Sequence, residues 1–190
     1  DYGIDNSVEA ILISGDMFDT KNISATVRNT VLHSIATNSQ IRFYYLKGNH
    51  DNDNFLSNLE EVTDNLKMFD THWKTYEEAD GKIVISGLEL SKNNTRSAYV
   101  SLVLDSNKYN IVMLHGQEAE VVAKDKAEVI NLKELRNRGI DYLALGHVHS
   151  YKMTELDSRG VYCYPGCLEG RGFDECGDHG FVVLDFNENT

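Results

Sequence analysis

Apolar residues along this chain fall into short runs of strand length, and four of those runs end the same way. Ile11-Leu12-Ile13-Ser14 runs into Gly15-Asp16, and Phe43-Tyr44-Tyr45-Leu46 runs into Gly48-Asn49-His50-Asp51. Ile111-Val112-Met113-Leu114 meets His115-Gly116, and Tyr142-Leu143-Ala144-Leu145 meets Gly146-His147-Val148-His149. Continuous apolar runs of this length suit strands buried on both faces, and open α/β sheets place their chemistry just beyond strand ends. Between the runs lies helical periodicity. Ile23, Val27, Val31 and Ile35 recur along 22–38, with Leu32 widening the stripe and Asn22 or Ser24 as the N-cap.

The same pattern sets the remaining expectations. Strands are predicted over 8–14, 41–46, 73–76, 82–88, 111–114, 142–145, 151–156, 161–164 and 180–186. Asp80-Gly81 marks a turn between two of them. A second helix is predicted over 129–137, stopped near Gly139. Residues 1–7 and 90–96 read as irregular, 51–70 as a short helix and a loop, and 98–104 as either helical or extended. Strands mixed with helices and no repeat or linker predict an α/β protein with two sheets packed together and helices outside.

Composition narrows the class. The 190 residues fit one domain, are 41% apolar and include ten Tyr and seven Phe, which excludes a disordered chain. No apolar run approaches a membrane span and no signal-peptide pattern opens the chain, so the expected location is the cytoplasm. The three cysteines, Cys163, Cys167 and Cys176, lack a Cys-x-x-Cys spacing and read as reduced thiols. The net charge of −12 argues against a large electrostatic DNA footprint. It argues less against a metal enzyme, whose cations supply positive charge where a phosphate sits.

The strand-end residues carry the chemistry. A glycine turn does not need three ligand-type side chains in a row, as in Asn49-His50-Asp51. His147 and His149 lie two apart, so on an extended segment both point to one side. A lone strand-end histidine such as His115 is more often a hydrogen-bonded structural residue. Four runs ending alike point instead to one shared divalent-metal site, with Asp16 able to bridge two ions. Mixed carboxylate, amide and imidazole donors suit manganese, iron or zinc better than calcium.

In this order, Gly-Asp-x-Phe-Asp, Gly-Asn-His-Asp, His-Gly and Gly-His-x-His resemble the calcineurin-like metallophosphoesterase superfamily. The tail Tyr164-Pro165-Gly166-Cys167-Leu168-Glu169-Gly170-Arg171-Gly172-Phe173-Asp174-Glu175, followed by Gly180-Phe181, resembles more narrowly the SbcD family of DNA-repair exonucleases. The resemblance implies a four-layer αββα sandwich with two metal ions, usually manganese in the nuclease branch. It implies that Asp16 bridges the ions, that Asn49, His115 and His147 complete one ion's protein shell, and that His149 binds the other. His50 would then face the scissile phosphate, with Asp51 orienting it. The function implied is metal-dependent phosphodiester hydrolysis by the nuclease subunit of a DNA exonuclease. The expected partners are DNA, an SbcC-like ATPase subunit and a second copy in a homodimer. The alternatives are an enzyme acting on a small phosphoester or pyrophosphate, or a non-catalytic binding module of the same fold.

The family also carries an Asp-x-His pair at the end of a strand upstream of the Gly-Asp motif. Asp5-Asn6-Ser7 does not match it. The resemblance therefore predicts that residues 1–190 are a nuclease-core domain lacking its first strand and its cap domain. It also predicts little nuclease activity for this chain alone.

Overall fold

The computed structural model describes the chain except residues 19–22, 52–62, 121–128, 171, 174 and 187–190. Three parallel strands form the first sheet: β1 (Ala10–Ser14), β2 (Arg42–Leu46) and β3 (Leu66–Met68), in that order. The second sheet has six, with β4 (Lys74–Glu78), β5 (Ile83–Gly87), β6 (Tyr109–His115), β9 (Tyr142–Gly146), β10 (Lys152–Glu155) and β11 (Val161–Tyr164) arranged β10-β11-β9-β6-β5-β4. Its centre is parallel and both of its edge pairs are antiparallel. A small parallel pair joins β7 (Gln117–Ala119) to β8 (Val129–Asn131).

Alternation along the strands explains the layers. Side chains of successive residues leave a strand on opposite faces. Tyr44 and Leu46 of β2 pack with Ile111 and Met113 of β6 and Tyr142 and Ala144 of β9, which makes a core between the sheets. Phe43 and Tyr45 face the other way, onto the helix α2 (Ala25–Thr37) through Val31, Leu32 and Ile35. Val112, Leu114, Leu143 and Leu145 pack on the far side with Ala98 and Tyr99 of α3 (Thr95–Ser101) and Leu132 and Leu135 of α4 (Leu132–Leu135). The order is helix, sheet, sheet, helix, as the four-layer expectation requires. Both faces of β6 and β9 are covered, which is why their sequences are apolar without a break.

Several elements differ from their sequence reading. Residues 2–5 form one helical turn, α1 (Tyr2–Asp5), where an irregular start is expected. Helix α2 begins at Ala25 because the Ser24 hydroxyl accepts from the Val27 amide at 3.2 Å; Asn22 lies outside the described residues, and Val27 of the expected stripe is exposed. Within 51–70, residues 52–62 lie outside the described residues, and Leu66–Met68 form a strand, not a loop. That strand is three residues long, too short to show a period. The segment 98–104 satisfies both alternatives in turn, being helical to Ser101 and extended from Leu102.

The helix expected over 129–137 is split. Val129–Asn131 pair with Gln117–Ala119, and the Asn131 side chain then accepts from the Lys133 amide to cap a single turn. The segment 180–186 keeps a strand's alternation, with Val182 and Leu184 packed on the inter-sheet core and Phe181 and Val183 exposed, but it joins none of the described ladders. Cys163, Cys167 and Cys176 are free thiols. Among the described residues no helix is long and apolar enough to cross a membrane.

Buried asparagines hold the connections at the far end of the strands. Asn110 is fully buried at the base of β6, and its amide group donates to the carbonyls of Asp105 (2.8 Å), Lys108 (3.1 Å) and Gly139 (2.9 Å). Asn65 does the same for Ile35, Asn38 and Ile41. Replacing Asn110 by Ala leaves buried carbonyls without donors, so Asn110→Ala is expected to cost about 2–3 kcal/mol. Urea unfolding checks this: an unchanged midpoint and slope would show that the carbonyls find other donors.

Candidate metal centre

The C-terminal ends of β1, β2, β6 and β9 open on one side of the sandwich, two from each sheet. Asp16 lies two residues past β1, Asn49 three past β2, His115 closes β6 and His147 follows β9. One ligand atom from each of Asp16, His115 and His147 lies within 4.8 Å of the other two. The His115 Nε2 atom is 3.2 Å from Asp16 Oδ2 and 2.9 Å from the amide oxygen of Asn49. That amide oxygen is 3.3 Å from Nδ1 of His147, and the two imidazole rings stand edge to face at 5.4 Å.

Protonation of His115 decides what this cluster can do. Its Nδ1 is 2.8 Å from the backbone carbonyl of Ser14, which can only accept. In neutral His115 the proton therefore sits on Nδ1, and Nε2 presents a lone pair. Two more oxygen acceptors, from Asp16 and Asn49, meet it there. Such a convergence of lone pairs wants a cation, and the donor set of carboxylate, amide and imidazole fits a divalent transition metal.

The pKa shifts describe the same crowding answered by a proton in place of a cation, with the Nε2–H of a charged His115 donating to Asp16. Burial raises the Asp16 carboxyl, but the bond with His115, the His50 amide and the charge of both imidazoles outweigh it and leave Asp16 below its ordinary value. Burial lowers His115, and the bonds with Asp16 and the Ser14 carbonyl reverse this, leaving it above its ordinary value.

The backbone is strained where the donors sit. Asp16 has φ 52° and His147 has φ 102°, both left-handed, at a cost of about 1–3 kcal/mol each. Space is equally tight. A Cβ on Gly48 would collide with Asp16 Oδ1, and one on Gly146 would collide with the Ser14 carbonyl oxygen. Glycine at 48 lets the loops after β1 and β2 close on one another, and glycine at 146 lets the ends of the two sheets meet.

The remaining candidates divide. The exposed His50 donates its backbone amide to Asp16 Oδ1 at 2.9 Å, so its main chain holds the carboxylate while its side chain stands at the rim. The Asp51 carboxylate is buried and accepts from the amides of Phe18 (3.1 Å) and Gly48 (2.9 Å). It thus ties the loop after β1 to the loop after β2, and its bearing on His50 runs through that backbone. His149 lies apart from the Asp16, His115 and His147 group, and its Nδ1 pairs with Glu175. Two contributors escape a sequence reading. A carbonyl such as that of Ser14 leaves no trace in residue type, and Glu175 is legible only as one acidic residue of a glycine-rich tail.

Because Asp51 serves two amides from different loops, Asp51→Ala should release both. The expected loss is about 1–3 kcal/mol of stability together with a weakened divalent-ion affinity. Urea unfolding and manganese titration of the same variant test this; a variant that binds manganese like the parent would show that the loops hold their positions without it.

Residues 1–151 match the family model described as calcineurin-like phosphoesterase. Two curated relatives align over nearly the whole chain at 25% identity. One is an uncharacterized metallophosphoesterase, YhaO, of Bacillus subtilis, which aligns with 97% of this chain over 47% of its own length. The other is the DNA double-strand break repair protein Mre11 of Sulfurisphaera tokodaii, which aligns with 98% of this chain over 51% of its length. The chain thus spans about half the length of the curated relatives it matches. Among solved structures, TT1561 of Thermus thermophilus superposes with a TM-score of 0.57 at 10% identity, over 86% of this chain and 79% of its own, a likeness of fold. With its four strand ends converging on one donor cluster and its match over residues 1–151, the chain belongs to the calcineurin-like phosphoesterase family.

Proposed function

We propose that this chain is the nuclease core of a DNA-repair exonuclease of the SbcD type, hydrolysing phosphodiester bonds with divalent metal ions, manganese first among them. The observation that carries the reading is the meeting of Asp16 Oδ2, Asn49 Oδ1 and His115 Nε2, with His147 at its side. The likeness to Mre11 over 98% of the chain supports DNA as the substrate, as does the SbcD-like tail. An SbcC-like ATPase as partner and assembly as a homodimer belong to the same proposal.

In this reading Asp16, Asn49, His115 and His147 hold one ion, and Asp16 and His149 serve a second. When bound, such ions neutralise phosphate oxygens and make water a better nucleophile at neutral pH. The protein's own part is positioning. The Ser14 carbonyl fixes the His115 tautomer, and the His50 amide holds Asp16. Asp51 keeps the loops that carry Asp16 and Asn49 together. The exposed His50 side chain would meet the phosphate, stabilising charge or giving a proton to the leaving oxygen.

A second reading, hydrolysis of a small phosphoester or pyrophosphate, draws on the net charge of −12, which repels a polyanion. Hydrolysis of duplex DNA compared with nucleotides and phosphorylated small molecules, using the intact protein, separates the two. Turnover confined to the small molecules overturns the nuclease reading.

Ligand numbers predict the metal stoichiometry. The ion served by four side chains should bind more tightly than the ion served by Asp16 and His149. Calorimetric titration of this chain with manganese should show at most one tight site, weakened by His147→Ala. Two equal tight sites, or an indifferent His147→Ala, would remove this assignment.

His50 is expected to behave differently. In the intact enzyme His50→Ala should keep the metal content and lose about 100- to 10,000-fold in turnover. Loss of metal along with activity would make His50 a ligand instead.

A further inference from the structure

Among the described residues, the tail after β11 supplies none of the clustered donors, yet it wraps His149 from two directions. On the backbone side, the Cys167 amide donates to the His149 carbonyl at 3.1 Å, and the Gly180 amide donates back to the Cys167 carbonyl at 3.3 Å. Gly166, at φ 82°, passes so close that a Cβ there would lie 3.0 Å from the same His149 carbonyl oxygen. On the side-chain side, Glu175 reaches back across 26 residues to Nδ1 of His149. The Glu175 side chain is only 17% exposed in this pair, and that of His149 is 35% exposed. A tight glycine turn, an amide clamp and a mostly buried carboxylate all act on one residue.

The pairing has a chemical consequence. A carboxylate can only accept from a neutral imidazole, so Glu175 puts the His149 proton on Nδ1 and the lone pair on Nε2. His115 shows the same arrangement, with the Ser14 carbonyl in the place of the carboxylate. A metal-ligating histidine is commonly oriented this way by an acceptor on its other nitrogen, and loss of that acceptor weakens the metal. Glu175 offers more than a carbonyl does, because its charge also makes the imidazole a stronger donor.

We propose that Glu175 is the positioning residue of His149. It fixes the tautomer and ring direction with which His149 addresses a divalent ion, so the tail is a working part of the metal centre. The proposal rests on the reading of His149 as a ligand, and it assigns to the tail a function separate from any contact with substrate.

Two measurements test it on the same variants. Long-range nitrogen–proton NMR of the imidazoles, without metal, reads the tautomer directly. The parent and Glu175→Gln, whose side-chain oxygen still accepts, should both show His149 protonated on Nδ1. Glu175→Ala should show a mixture of the two tautomers. Manganese titration followed by electron paramagnetic resonance then reads the weaker site. Glu175→Ala should lose about 10- to 100-fold in affinity there, and Glu175→Gln should recover most of it. An unchanged tautomer in Glu175→Ala overturns the proposal, as does an equal loss of affinity in both variants. His149→Ala is the separate control. If it leaves the weaker site untouched, the reading of His149 as a ligand fails, whatever the Glu175 variants do.

Discussion

One hydrogen bond spans the gap on which the site depends. The His115 Nδ1–H, at the end of β6 in the second sheet, donates to the Ser14 carbonyl at the end of β1 in the first, at 2.8 Å. It joins residues 101 apart in the chain. Gly146 makes the approach feasible, because any side chain there would strike the same carbonyl. The bond also sets which nitrogen of His115 faces Asp16 and Asn49. A single contact therefore fixes both the spacing of the two sheets at the edge that carries the donors and the chemical state of a central one.

The rest of the sandwich supports that edge. The inter-sheet core holds β2, β6 and β9 face to face, while the outer faces of the same strands are covered by α2 on one side and by α3 and α4 on the other. Strands packed on both faces have little freedom to slide, because a shift of one residue would exchange their two faces. Rigid strands then deliver Asp16, Asn49, His115 and His147 to one place even though the loops that carry them are strained. The left-handed backbone at Asp16 and His147 is unfavourable in isolation and persists because the surrounding layers determine it. Family membership rests on the match over residues 1–151, and the fold shared with TT1561 at 10% identity shows how little of the architecture depends on particular side chains.

Different residues were legible to different degrees. The buried strands β2, β6, β9 and β11 were readable because an apolar run between turn signals has few other interpretations. Strand β3 and the segment 180–186 were not, one being too short for a period and the other having the period of a strand without a described ladder. The helix expected over 129–137 misled for a related reason. Its apolar spacing fits a helix, but Val129 and Ile130 gain more by pairing with β7, and Asn131 caps what remains. Asp51 was visible as a site residue, but its hold on the Phe18 and Gly48 amides was not, since those amides belong to different loops.

The order of apolar runs and donor residues along the chain determined the family resemblance, the long buried strands and the candidate metal donors, because these are matters of residue type and local spacing. Tertiary structure decided the pairing of donors with their acceptors. It turned Nδ1 of His115 toward a carbonyl and brought Glu175 back to His149. It left His50 exposed and set His149 apart from the Asp16 cluster. Each of those outcomes depends on distances between segments far apart in the chain, and such distances are set only when the two sheets close on their shared core.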